Sequence, residues 1–357
     1  MKTLIDTILE TKEKGIALVE NAMALGNDLQ NKLNTRLEKI SQIILDGHGS
    51  SKTAAFTAQP FIEKITGLPV TVLSPNDLSR TINPCETALY VFVSESGNSA
   101  LLRKDIQAVG NNALKLLVTA SSNPALGDRV DYIIHTGCED ENFFYHTVGH
   151  CCAMLSLMLL SLNIALLRNT ITKEAYRDYL EMARSALNNQ PNVVAQARQW
   201  CQNYAKVLNN ARCLVLFGSG PLYGIVEEAG IKIQEITQNS ICKSFPTFQK
   251  IYGSTSCHDE RDLIFMLYDG IHEAELGLNV LGYVNETFQN GFLFGNKRLT
   301  DRDFYFEPQG QDFSPLEYIA IFEVIAYEMT IALGKDVPDL DHMEVDGFTK
   351  YMNAKNK

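Results

Sequence analysis

At 357 residues the chain is long enough for two domains, and its 45% hydrophobic and 20% charged composition permits buried cores and excludes disordered, collagen-like and coiled-coil classes. Its 31 lysines and arginines against 42 acids leave a formal charge of −11, which repels phosphate backbones and anionic lipid and argues against nucleic-acid or membrane partners. A single small phosphate remains compatible, because a few local donors outweigh a weak, screened global field.

The chain starts MKTLIDTILETKEK, a mixture of acids and bases without an apolar h-region, which is not a signal peptide. Residues 1–40 read as one or two amphipathic helices. SQIILDGHGSS then reads as strand, glycine turn and helix start, the helix reaching about Thr66. Short apolar runs at Val70–Leu73, Ala88–Val93, Leu114–Thr119 and Tyr132–His135 read as strands, with helical patterns at Ser99–Val109 and from about Asn142 onward. Strands alternating with helices predict a parallel sheet with helices on both faces, a three-layer αβα arrangement of flavodoxin-like type.

Two long helical stretches follow, Phe143–Arg168 and Lys173–Asn209. The first contains CCAMLSLMLLSLNIALL (151–167), at the lower length limit for a membrane span and interrupted by Ser156, Ser161 and Asn163. Apolar nearly all round, it reads as a core or interface helix. The eight cysteines show no Cys-x-x-Cys pair, and several sit in apolar runs, as Cys213 does in CLVLFG. They read as free thiols of a reducing, cytoplasmic protein.

At Cys213 the pattern restarts with CLVLFGSGPLYG. Sliding the chain by 171 residues places Gly47 on Gly218, Gly49 on Gly220, Ala58 on Ala229, Ile62 on Ile233, Ile65 on Ile236 and Thr66 on Thr237. Two copies of one α/β domain are predicted: helices over 1–40, a first domain over 41–171, a helical connector over 172–210, and a second domain with a C-terminal tail over 211–357.

A strand running into Gly-x-Gly and a helix gathers free amides and a positive helix end, an anion site in outline. The dinucleotide fingerprint needs a third glycine three residues on, where Lys52 and Tyr223 stand; the P-loop needs Gly-Lys-Ser/Thr, and GHGSSKT interposes two serines. Both motifs fail. Hydroxyls remain: Ser50 and Ser51 beside Gly49, then Ser94, Ser96 and Ser99 around Gly97 in VFVSESGNSALL. A serine at a helix start is commonly a simple N-cap. Two such clusters at strand carboxyl ends of one sheet point instead to a bound phosphate.

These residues resemble the sugar isomerase (SIS) domain family. SESGNS resembles its phosphosugar loop, GHGSS its first glycine turn, and GSGPLYGIVEEAGIKIQEIT the second SIS domain in the isomerase half of glucosamine-6-phosphate synthase. Fructosamine-6-phosphate deglycases share this double-SIS plan. The resemblance covers about residues 40–357 and implies two tandem SIS domains, a homodimer with shared sites, and a 6-phosphorylated sugar or amino sugar as partner. Gly49, Ser50, Ser51, Ser94, Ser96, Ser99 and Gly220 are the expected binding residues.

Glu228, Lys232 and Glu235 share one face of the helix after the second turn. The resemblance places Glu235 as the carboxylate that shuttles a proton between C1 and C2, with Lys232 near the same centre. Two departures stand out. The family's ring-opening His-Gly-Pro matches FQKIYGSTSCHDERD here, with Tyr252 at the His position, Ser254 at the Pro position and His258 six residues on. Where the synthase carries a C-terminal lysine this chain has Gly347, with Lys350 three residues later, as in the deglycase branch. His146 and His150 are four apart in HTVGH, but no third ligand lies at a recognisable spacing, so neither metal nor cofactor is expected. Glu139 and Glu141 of CEDEN read first as helix-start charges and secondly as substrate contacts.

The expected function is isomerisation or deglycation of a 6-phosphorylated ketosamine or hexose. The alternatives are a non-catalytic phosphosugar sensor and an ammonia-dependent synthase-like activity.

Overall fold

The computed structural model describes residues 2–81, 83–139, 141–251 and 258–337. Its first sheet contains β1 (Gln42–Gly47), β2 (Val70–Leu73), β3 (Ala88–Val93), β4 (Leu114–Thr119) and β5 (Tyr132–His135), all parallel in the order β2-β1-β3-β4-β5. The second contains β6 (Cys213–Gly218), β7 (Cys242–Pro246), β8 (Asp262–Tyr268), β9 (Gly291–Gly295) and β10 (Phe304–Tyr305), in the matching order β7-β6-β8-β9-β10 and again parallel. Strands such as β3, ALYVFV, are buried at every residue. That is the burial a parallel sheet imposes when helices cover both faces.

The duplication is visible in the backbone. After each sheet's first strand comes a helix of 17 residues, α2 (Ser50–Thr66) or α7 (Pro221–Thr237). The residue before α2 is Gly49 at φ 54°, ψ −129°; the residue before α7 is Gly220 at φ 54°, ψ −132°. Only glycine adopts that region without strain, so the same turn is built twice by the same residue. Both helices end on a threonine bonded to the carbonyl four residues back, Thr66 to Ile62 and Thr237 to Ile233.

One long helix, α1 (Leu4–Leu37), precedes the first sheet. Within the first copy lie α3 (Asp77–Thr81) and α4 (Ala100–Val109), then α5 (Val148–Leu167); α6 (Lys173–Asn210) leads to the second copy, which adds α8 (Ala274–Thr287) and α9 (Pro315–Ala332). Among the described residues α5 is the one helix long and apolar enough to cross a membrane, and it is buried, packed on α1 and α2. Its counterpart α9 is likewise apolar all round and packs on α6 and α7. The seven described cysteines form no disulfide with one another.

The structure corrects one helix boundary. The pattern from Phe143 extends a helix into residues that the chain uses as a loop; α5 begins at Val148, because Glu141 reaches forward and accepts from the amides of Thr147, Val148 and Gly149. A carboxylate on three orphan amides starts the helix there. His146 therefore precedes the helix, and the expected four-residue spacing of His146 and His150 on one helical face does not exist.

Candidate functional site

In a sheet ordered 2-1-3-4-5 the crossovers leave β1 in opposite directions, opening a crevice at the carboxyl ends of β1 and β3. Both serine clusters lie there. Together with residues from β4 and the loop before α5 they enclose a cavity of about 520 Å³, whose wall includes His48, Ser51, Ser94, Glu95, Ser96, Ser99, Glu139, Glu141 and His146.

The phosphosugar-like loop is held by its own hydroxyls. Ser94 Oγ accepts from the Gly97 amide at 3.2 Å, Ser96 Oγ from Asn98 at 3.3 Å, and Ser99 Oγ caps α4 through the Leu102 amide at 3.3 Å. Gly97 has φ 61°, and a Cβ there would lie 2.3 Å from the Pro124 Cβ. The turn is closed to any other residue. Ser51 reaches the cavity, whereas Ser50, on the next face of α2, serves Glu228 on the second copy.

Expected contacts on the second copy take another course. The ring of His272 lies over Gly220, where a Cβ would stand 2.5 Å from its Cδ2. Ser219 donates to Glu273 at 2.5 Å, and His272 Nδ1 pairs with Asp269 at 2.6 Å. The second glycine turn is thus filled by its own side chains, and Gly220 is not part of the serine cavity's wall. The duplicated fold retains an open hydroxyl cradle in the first copy.

The second copy supplies charge instead. Lys232 is only 2% exposed and pairs with Glu235 at 3.2 Å and Glu228 at 3.4 Å. Burial opposes its charge, but Glu228 and Glu235 outweigh it and raise the ammonium's pKa. Glu228 is fully buried; burial raises it, yet His150, Lys232 and the Thr53 hydroxyl together hold it ionised below the usual range. Glu323, on α9, is equally buried, and burial pushes its carboxyl well upward. Glu235 is more exposed, at 43% of its side chain.

Lys232 also acts on the cavity wall: its charge is felt by Glu95 and His146. Burial lifts the Glu95 carboxyl to about 7. Burial would lower His146, but Glu141, 3.5 Å from Nδ1, and Glu95 raise it. Glu141 is pushed up by burial and pulled below the usual range by the His146 ring and the α5 amides. Ligand atoms of Glu95, Glu141 and His146 lie within 4.8 Å of one another, the one metal-competent donor set among the described residues. Both Glu141 oxygens are already engaged by that loop and helix. His150 is buried, which lowers its pKa, and it is not part of this set.

His258 does not join the site. Its Nδ1 meets Asp262 at 2.8 Å, at the start of β8, and Asp262 also holds Arg212. That is the amino end of the second sheet, opposite the glycine turn. Tyr252, Ser254, Gly347 and Lys350 lie outside the described residues. Glu139 accepts from the amide and hydroxyl of Ser122 at the cavity's edge.

A larger cavity of about 630 Å³ lies between α1, α5 and α6. Its polar groups answer one another, Tyr176 donating to Asn163 and Asn163 to the Ala22 carbonyl, and it holds no acid–base constellation. The smaller, serine-lined cavity is the one whose wall carries hydroxyls, carboxylates and a histidine together.

No protein-family model matches the chain. The isomerising glutamine–fructose-6-phosphate aminotransferase of Wigglesworthia glossinidia brevipalpis is 21% identical over 337 residues, covering 88% of this chain and 52% of that protein. The chain spans about half the length, or less, of the curated relatives it matches. Among solved structures, the C-terminal domain of glucosamine-fructose-6-phosphate aminotransferase from Francisella tularensis superposes with TM-score 0.84 at 19% identity, over 94% of this chain and 98% of that one. The chain has the double-SIS fold. Tagatose-6-phosphate ketose/aldose isomerase from Escherichia coli shares it with TM-score 0.74 at 18% identity, over 94% and 95% of the two chains.

In this double-SIS chain the structure sets Ser51, Ser94, Ser96 and Ser99 of the motif reading on the cavity wall, and adds Glu95 and His146 beside them. Glu95 stands inside SESGNS, which reads for its hydroxyls, and His146 inside HTVGH, which reads as a helix.

Proposed function

We propose that this double-SIS chain is an enzyme that binds a 6-phosphorylated sugar or amino sugar and moves a proton between C1 and C2. The single observation carrying this reading is the juxtaposition of the open serine cradle of the first copy with the buried Lys232 of the second, whose charge bears on the cavity wall and which pairs with the more exposed Glu235. Hydroxyls and helix amides hold the phosphate without adding charge. Glu235 takes the proton from C1, and the C–H electron pair becomes the C1=C2 bond as the C2=O pair moves onto O2, where the Lys232 ammonium offsets the charge; Glu235 returns the proton to C2 while the C1 heteroatom forms its double bond and its own proton passes to O2. From a ketosamine 6-phosphate this produces an imine at C1, which water converts to an aldose 6-phosphate and a free amine. From a hexose phosphate it produces the isomer. The activities named for the aminotransferase and isomerase relatives share this proton shift.

The site works as a homodimer in a reducing, cytoplasmic setting, and size-exclusion chromatography at twice the monomer mass is the expected result. For the chemistry, fructosamine 6-phosphate, glucosamine 6-phosphate and fructose 6-phosphate are incubated with the protein in deuterated water. Deuterium at C1 or C2, with amine or isomer release, is expected from the wild type and is abolished in Glu235→Gln, which still binds the sugar phosphate. Turnover unchanged in that variant would overturn the assignment. Binding by the wild type without exchange would favour a sensor, for which the retained Lys232–Glu235 pair has no use.

A further inference from the structure

Aldose and ketose phosphates exist mainly as rings, whereas C1–C2 proton transfer requires the open chain. The ring-opening candidate expected from sequence, His258, is locked to Asp262 at the far end of the second sheet. An acid and a base nevertheless face each other on the wall of the serine cavity. We propose that His146 and Glu95 are the acid–base pair that opens the sugar ring, a role resting on the proton-transfer function above.

The geometry assigns the parts. The His146 side chain is 37% exposed, yet its Nδ1 is shut away from solvent and faces Glu141 at 3.5 Å. The accessible edge of the ring is therefore the Nε2 side, which the cavity wall presents to substrate. Glu141 cannot swing, because four donors from Thr147, Val148 and Gly149 hold it. A clamped carboxylate 3.5 Å behind Nδ1 favours the protonated ring by charge, without a hydrogen bond between them in this structure. Glu95 lies against Gly149, where a Cβ would stand 2.5 Å from its Oε1. That oxygen is buried and accepts no hydrogen bond. The other oxygen, Oε2, is therefore the one the cavity wall leaves to a substrate hydroxyl.

The step balances. His146 gives its Nε2 proton to the ring oxygen as the bond from that oxygen to the anomeric carbon breaks. Glu95 removes the anomeric hydroxyl proton, and the O–H electron pair forms the carbonyl. One proton has passed from His146 to Glu95, and it returns across the short gap between them, within which all these donor atoms lie. The Lys232 ammonium bears on both groups and pairs with Glu235 at 3.2 Å, linking the ring-opening pair to the proton carrier.

The test compares fructosamine 6-phosphate with its 5-deoxy analogue, which has no hydroxyl to close the ring and is always open. His146→Gln and Glu95→Gln are each expected to slow turnover of the cyclic compound roughly 10²–10⁴-fold, while deuterium exchange into the 5-deoxy analogue stays within about threefold. Glu235→Gln loses both, so failure of the proton-transfer reading is seen separately. Equal loss on both compounds, or on neither, overturns the assignment, as does a wild type that exchanges neither. Thermal stabilisation of each variant by the 5-deoxy analogue confirms a folded cavity. Exhaustive chelation leaves turnover unchanged if the pair acts by protons alone; loss restored by zinc or manganese overturns it in favour of a metal held by the same three side chains.

Discussion

Thr53 on α2 donates its hydroxyl to Glu228 on α7 at 2.6 Å, with both side chains buried. Shifted by the duplication offset, the same pair becomes Thr57 and Gly224, and these two are also in contact: a Cβ on Gly224 would lie 2.2 Å from Thr57 Oγ1. The two copies therefore meet through an isologous helix pair, α2 on α7, in which one side carries a hydrogen bond and the other a close approach. This junction places Lys232 beside the first copy's cavity.

Thr53→Val leaves the buried Glu228 carboxylate short of a donor and is expected to cost about 1–3 kcal/mol, read by urea denaturation. Gly224→Ala drives a methyl into the Thr57 hydroxyl and amide, with a cost in the range of about 1–3 kcal/mol for overpacking. Both together should lose turnover beyond the stability effect, because Lys232 moves with α7. Unchanged denaturation midpoints in both variants would contradict the junction as described.

Ser99 and Ser96 separate two roles of the same loop. Ser99 caps α4, so Ser99→Ala is expected to lower stability by about 1 kcal/mol as well as weaken sugar-phosphate binding. Ser96 bonds only its own loop at Asn98, so Ser96→Ala should weaken binding with little change in melting temperature. Calorimetric titration with fructose 6-phosphate beside a thermal melt distinguishes the two.

Glu323 is wholly buried and its two oxygens have no hydrogen-bond partner. Burial raises its folded-state pKa well above the ordinary carboxylate range. The folded protein then holds a proton that the unfolded chain releases, so this site's contribution to stability is full below the ordinary carboxylate range and is lost as pH rises toward the folded value. Glu323→Gln removes that dependence. The melting temperature of the variant relative to wild type is expected to climb between pH 5 and pH 8 (roughly the span over which carboxylates and histidines titrate). A constant difference would mean that Glu323 is ionised in the fold.

Burial lifts the Glu95 carboxyl to about 7. Below that pH it is neutral and cannot accept the anomeric proton; above it the carboxylate is available as the base. The ratio of kcat/KM for wild type to that for Glu95→Gln on cyclic fructosamine 6-phosphate is expected to rise from pH 6 to pH 8 (bracketing that value), whatever the phosphate's own titration does to both. A flat ratio would mean that Glu95 does not act as the base.

What the sequence determined is local or periodic. Runs such as ALYVFV can only be doubly covered strands, and Gly49 and Gly220 stand where only glycine turns the chain into a helix. The offset that pairs them declares the duplication, because packing demands the same spacing in both copies. The serine loop and the Lys232–Glu235 face were legible for the same reason, each lying within one short segment. Tertiary structure alone decided the rest. It set Glu141 on the amides of Thr147–Gly149, which ended the expected helix early and turned His146 toward the cavity. It closed the second glycine turn with His272 and Glu273, so the two copies differ in use although they share a fold. It locked His258 to Asp262 at the opposite sheet end and brought Glu95 and His146 together from segments about fifty residues apart. A residue's partners in an α/β crevice are set by crossovers between strands, and a crossover joins positions that no local pattern connects.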